Sequence, residues 1–217
     1  MDIRRTMIAN ARKLGLFVFV ATAMVFSMYF FTRTQIRANE RQVMIGQLES
    51  VLASVHYDND LLGQSLTLNA VQATGVMQAM PYYLAKQGKS IVAIVFTVVA
   101  PDGYSGPIKM LIGIRPDGTI LAVRVIAHQE TPGLGDGIDI KKSSWITQFD
   151  HQSLQKTTST NWKVKKDNGV FDQMTGATIT PRAVVKAIKT LLLYYRSNKL
   201  QLLDQSRQQE DSQHAAL

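Results

Sequence analysis

Two short segments carry residue types whose spacing suits chemistry. The first, His128-Gln-Glu-Thr-Pro-Gly-Leu-Gly-Asp-Gly137, sets three glycines and a proline directly after an apolar run. Glycine lets backbone approach a flat ligand closely, and free amides, Thr131 and Glu130 offer hydrogen bonds to its polar edge. A long turn would use the same glycines, so spacing alone leaves both readings open. The second, Thr175-Gly-Ala-Thr178-Ile-Thr-Pro181, stands just ahead of a stretch with helical apolar spacing. Unpaired amides and the positive end of a helix dipole suit a phosphate at that place, and the threonine hydroxyls can bond to it or be joined to it. Lys163, Lys165 and Lys166 lie shortly upstream and would add positive charge. Threonines before a helix are also ordinary caps, so here too the bland reading stands beside the chemical one.

Other chemistries are disfavoured. The chain has no cysteine, which removes disulfides, thiolate catalysis and cysteine-ligated iron–sulfur clusters together. His56, His128, His151 and His214 are scattered, with no pair at metal-ligand spacing. Neither a G-x-x-x-x-G-K-[ST] phosphate loop nor a G-x-G-x-x-G after a strand occurs, so nucleotide hydrolysis and a conventional dinucleotide fold are not expected. The net charge of +8 comes without a block of five or six consecutive basic residues, and no nucleic-acid partner is expected.

The elements that must position the two loops follow from hydropathy and turn signals. Residues 14–31 contain no charge and are bounded by Arg12-Lys13 and Arg33. As a helix they would span ~27 Å, close to the ~30 Å hydrocarbon core of a bilayer. A cleaved signal peptide is the rival, but no small-x-small cleavage pattern follows the run. Basic residues before and after the segment give a slight lean towards an N-terminus in the cytoplasm, residues 1–13, and the bulk of the chain outside it. Residues 32–55 read as a helical stalk, and His56-Tyr-Asp-Asn-Asp60 as a break where a domain over residues 56–203 begins. Residues 91–100, 108–115 and 119–126 are rich in β-branched residues and are separated by Pro101-Asp-Gly103 and Pro116-Asp-Gly118. Such short connections require neighbouring antiparallel strands. In the third strand, Leu121, Val123 and Val125 form an apolar face expected to cover the core. A final helix is expected with Thr180 as its cap, Pro181 in first position and an apolar stripe to about Lys199, followed by a flexible tail over residues 204–217.

Taken together, Gly103-Tyr-Ser-Gly-Pro-Ile108, the Asp117-Gly118 turn, His128-x-Glu-Thr-Pro-Gly-Leu-Gly135, Trp145 and Asp172-x-x-Thr-Gly-Ala-Thr178 resemble the FMN-binding domain family of membrane redox complexes. Within it the pattern is similar to the G subunits of Rnf (Rsx) ion-translocating electron-transport complexes. The C subunits of sodium-translocating NADH:quinone reductases are the nearest alternative. The resemblance implies an α+β fold: one N-terminal transmembrane helix, then an FMN-binding domain with a mainly antiparallel sheet flanked by helices. It also implies that a flavin transferase joins FMN by a phosphoester to Thr178, with Thr175, Gly176 and Ala177 completing the acceptor motif. The loop containing Glu130, Thr131, Gly133, Leu134 and Gly135 would wall the isoalloxazine pocket. The expected role is an electron carrier with no acid–base residue of its own, working among other membrane subunits on the periplasmic side of the cytoplasmic membrane. The rival from a different class is a membrane-tethered module that binds a phosphate-bearing ligand without a covalent bond.

Overall fold

The computed structural model describes residues 3–68 and 80–214, and divides into two compact units, Met1–Met44 and Ile45–Leu217. A single helix, α1 (Ile3–Leu52), supplies the first unit and the start of the second. Within the first unit, Asn10–Arg33 has a mean hydropathy of 2.1 and none of it is buried, with Phe17 and Phe31 more than two-thirds exposed. It is long and apolar enough to cross a membrane. Near its end the Thr32 hydroxyl donates to the carbonyl of Met28 at 2.8 Å, which satisfies a polar group that would otherwise face hydrocarbon.

The second unit is built on a five-stranded antiparallel sheet with strands in sequence order: β1 (Leu66–Leu68), β2 (Met80–Gln87), β3 (Ser90–Ala100), β4 (Ile108–Ile114) and β5 (Ile120–Ala127). Alternation along β3 and β4 sends Ile94, Phe96 and Val98, with Met110, Ile112 and Ile114, to one face. There they share a core with Val184, Ile188, Leu191 and Tyr195 of the C-terminal helix α2 (Ile179–His214). The aromatic group Phe149, Trp162 and Phe171 completes this core, with ring centroids 4.6 to 6.4 Å apart. The opposite face is apolar as well. Tyr83, Ala85, Ala93, Val95 and Leu111 are buried on it, and so are Leu48, Val51 and Leu52 from the last turns of α1. Contact is close enough that a Cβ on Gly113 would lie 2.5 Å from Val51 Cγ1. The stretch expected to be stalk thus contributes core residues, and the compact unit begins at Ile45 where the sequence pattern suggested His56.

Three further differences from the sequence reading have local causes. A bulge opposite Gly113 and Ile114 gives β5 an extra residue, so Leu121 packs beside Gly113 while Ile120, Val123 and Val125 face the α2 core. The expected face of Leu121, Val123 and Val125 is therefore split. Helix α2 begins at Ile179, which puts Thr178 at the cap position and Pro181 two residues further in. Thr180 is instead drawn into the interior, 1% exposed. At its other end α2 continues to His214, through most of the expected tail. The break at residues 56–60 has its own task. Asn59 donates to the Leu84 carbonyl at 2.9 Å and accepts from the Lys86 amide at 2.8 Å, and Asp58 accepts from Gly88 at 2.8 Å, so the segment caps β2 and its hairpin.

Candidate functional site

The two glycine- and threonine-bearing loops meet over the end of the sheet. The loop after β5 is held by its own side chains. The Gly133 amide, on a glycine with φ of +78°, donates to Asp136 Oδ1 at 2.8 Å. The Thr131 carbonyl accepts from the Leu134 amide at 3.1 Å, and a 3₁₀ turn, Gly135–Ile138, drops Ile138 into the core. Glu130 is 4% exposed. Its Oε1 accepts from the Ser105 amide at 3.1 Å, and its Oε2 accepts from the Thr180 hydroxyl. The fit around it excludes side chains. A Cβ on Gly103 would lie 2.8 Å from Glu130 Oε1, and one on Gly135 would lie 2.7 Å from Oε2 and 2.9 Å from Thr180 Oγ1.

The second loop is pinned at its beginning and open at its end. The Trp145 indole donates to the Asp172 carbonyl at 2.7 Å, the Asp172 amide donates to Gln148 Oε1 at 2.7 Å, and the Asp172 carboxylate meets Lys165 Nζ at 2.5 Å. A turn then closes from the Ala177 amide to the Met174 carbonyl at 3.3 Å, with Gly176 at φ +78° as the third residue of such a turn requires. A Cβ on Gly176 would touch Leu134 Cδ2 at 3.0 Å, so this glycine is also where the two loops come together.

Between them lies a cleft of about 410 Å³. One wall is Glu130, Thr131, Leu134 and Gly135, the other runs from Gly176 to Thr180, and Tyr104 from the β3–β4 connection closes an end. Tyr104, Leu134 and Ile179 are 67%, 47% and 47% exposed, an apolar rim turned to solvent. Thr178 is half-buried in the cleft at the start of α2. The amides of Thr178, Ile179 and Thr180 precede the first helical bonds, and Pro181 has none to offer. A hydroxyl and a group of amides at the positive end of a 36-residue helix therefore share the cleft with apolar side chains. That combination fits a ligand with a flat apolar part and a phosphate.

Of the residues singled out by sequence, Glu130, Thr131, Leu134, Gly135, Gly176, Ala177 and Thr178 line this one cleft. Gly133 and Thr175 stand outside its lining, on the turns that shape it. None of the upstream lysines is in its lining. Lys165 is engaged by Asp172, the Lys166 amide donates to Gln173 Oε1 at 3.2 Å, and Lys163 lines a different hollow with Arg182 and Lys189. Arg182 also grips Asp167 through two bonds of 2.7 and 2.5 Å, which hold the Asp167 carboxyl below the usual carboxylate range. Sequence reading passed over Tyr104 and Ser105 as parts of the site, and took Thr180 for a cap or phosphate-binding hydroxyl where it bonds Glu130. The Gly103-Tyr-Ser-Gly segment was a signal, but only the fold shows that it reaches Glu130. Among the described residues no group of three or more His, Cys, Asp or Glu is gathered to hold a metal.

Known proteins are similar to this chain over the range that builds this cleft. An FMN-binding domain model matches residues 103–193, a range that contains every residue of the cleft. The G subunit of the ion-translocating oxidoreductase complex of Shewanella loihica is 42% identical over 202 residues, which is 93% of this chain and 95% of that protein. The chain belongs to this family of G subunits. A second member, from Vibrio atlanticus, is 43% identical over 196 residues, covering 90% of this chain and 93% of its own length. Because these matches extend over nearly the whole chain, the family likeness takes in α1 as well as the FMN-binding domain. Among solved structures, the crystal structure of Shewanella oneidensis NqrC aligns with 61% of this chain and 69% of its own, at 21% identity and a TM-score of 0.43.

Proposed function

We propose that this chain is a membrane-anchored electron-carrier subunit of an ion-translocating oxidoreductase complex, with FMN joined through its phosphate to the Thr178 hydroxyl. The observation that carries the reading is the position of Thr178: half-buried, at the first turn of α2, and inside a cleft with an apolar rim. Free amides there stabilise a phosphate whether or not a covalent bond forms. Leu134, Ile179 and Tyr104 provide the apolar surface that a planar ring requires, and Gly135 and Gly176 let the walls pack closely against Glu130, Thr180 and Leu134. When bound, FMN supplies the one- and two-electron chemistry; the chain's part is to hold the ring, fix its surroundings and keep it from leaving. A flavin transferase is the expected agent of attachment. Partners are the other membrane subunits of such a complex, and α1 is the anchor. The folded unit lies on the periplasmic side in this reading, where a tether prevents loss of a cofactor that would not be readily replaced.

The test is denaturing electrophoresis of the full chain produced together with the flavin transferase. Flavin fluorescence should stay with the protein band, vanish in Thr178→Val and persist in Thr175→Val. Flavin that copurifies with native protein but leaves on denaturation would favour the non-covalent binding module. Reporter fusions at the C-terminus test the side: activity of a cytoplasm-dependent reporter there would overturn the periplasmic placement.

A further inference from the structure

Glu130 has properties that a plain wall residue does not need. It lines the cleft and is 4% exposed, yet both of its oxygens are turned to the protein, one to the Ser105 amide and one to the Thr180 hydroxyl. Both donors are neutral. Among the described residues no Lys, Arg or His forms an ion pair with it. A buried carboxylate without a cation is costly, and hydrogen bonds offset only part of that cost. Two consequences follow from the geometry. The carboxylate is a bridge: it connects the loop after β3, the loop after β5 and the first turn of α2, and Gly103 and Gly135 are small where it passes. It is also a fixed negative charge beside whatever the cleft holds.

We propose that Glu130 both positions the cleft and lowers the reduction potential of the flavin bound in it, an inference that rests on the FMN reading above. Placing an electron near a buried negative charge is disfavoured. For a separation on the order of 10 Å in a medium of effective dielectric ~20, the effect on the reduced-to-oxidised ratio is about tenfold. No polar contact between Glu130 and the phosphate is required, because its oxygens are already occupied. The Thr180 hydroxyl works in the opposite sense. By donating to the carboxylate it draws negative charge away from the cleft.

The experiment is a spectroelectrochemical titration of the purified full-length chain, loaded by coproduction with the flavin transferase. Glu130→Gln keeps a carbonyl acceptor and removes the charge. Its flavin should titrate at a more positive potential, with a reduced-to-oxidised ratio about tenfold higher than wild type at a fixed mediator potential. Thr180→Val keeps the charge and removes a donor, and its flavin should shift the other way by a smaller amount. A residue that served only as a strut would not move the two potentials in opposite directions. Should one variant fail to take up flavin, the sign of the shift in the other decides. Unchanged potentials, shifts of the same sign, or loss of flavin from both variants while wild type stays loaded would overturn the proposal. Wild type without flavin would instead sink the functional reading itself.

Discussion

The two walls of the cleft are made in opposite ways. The wall after β5 is tied down from within, by Glu130 to two other segments and by Asp136 to the Gly133 amide, and Glu130, Gly135 and Asp136 are all buried. The facing wall is anchored at Asp172 but ends in the exposed Thr175 and Gly176 and the half-buried Thr178. The first wall has its carboxylates committed to the protein; the second keeps a hydroxyl and several amides for something else. A rigid side and a reactive side are a sensible division of labour, since a site is only as well placed as the shell that supports it.

Substitutions can break or sharpen that contrast. The largest expected effect is all-or-none: Thr178→Val abolishes covalent flavin while changing unfolding stability by no more than ~1 kcal/mol, the ordinary range for a cap position. A large loss of stability on denaturant unfolding would mean that the reactive wall is structural after all. Gly135→Val should do the reverse in kind, destabilising the folded unit by ~1–3 kcal/mol, because its Cβ would press on Glu130 and Thr180. The same unfolding measurement checks it. Trp145→Phe removes the indole bond to the Asp172 carbonyl and should cost ~1 kcal/mol, with slower flavin loading as the motif loop loosens. The smallest effect concerns pH. Because Arg182 lowers the Asp167 carboxyl, the stability from that pair is complete above the unfolded carboxylate value of ~3.9 and is lost as pH falls through the lower folded value. Asp167→Asn should flatten that acid limb and lower melting at neutral pH by the same small amount, since the pair lies on the surface.

Much of this arrangement was written locally. The strands after Ile91, their antiparallel order and both loops could be read because β-branched runs and Pro-Asp-Gly turns act over a few residues. What escaped depends on contacts between distant segments. In β2, Pro81 lies inside the strand and weakens its signal; its pairing with β1 and β3 is a tertiary matter. The bulge at Leu121 inverts an alternation that looks regular in sequence. The cap was expected at Thr180, but the helix starts one residue after Thr178, and the Thr180 hydroxyl is turned to Glu130, 50 residues upstream. Likewise only the fold shows that the lysines before the motif stand outside the cleft lining, with Lys165 paired to Asp172.

The close fit of Val51 against Gly113 bears on how this protein can be handled in solution. A fragment begun at Ile45 keeps Leu48, Val51 and Leu52 over the far side of the sheet. One begun at His56, the boundary that the Asn and Asp turn signals suggest, loses that cover and presents Tyr83, Val95 and Leu111 to water. Such a fragment should self-associate, and two trims only eleven residues apart would differ as a monodisperse sample differs from an aggregate.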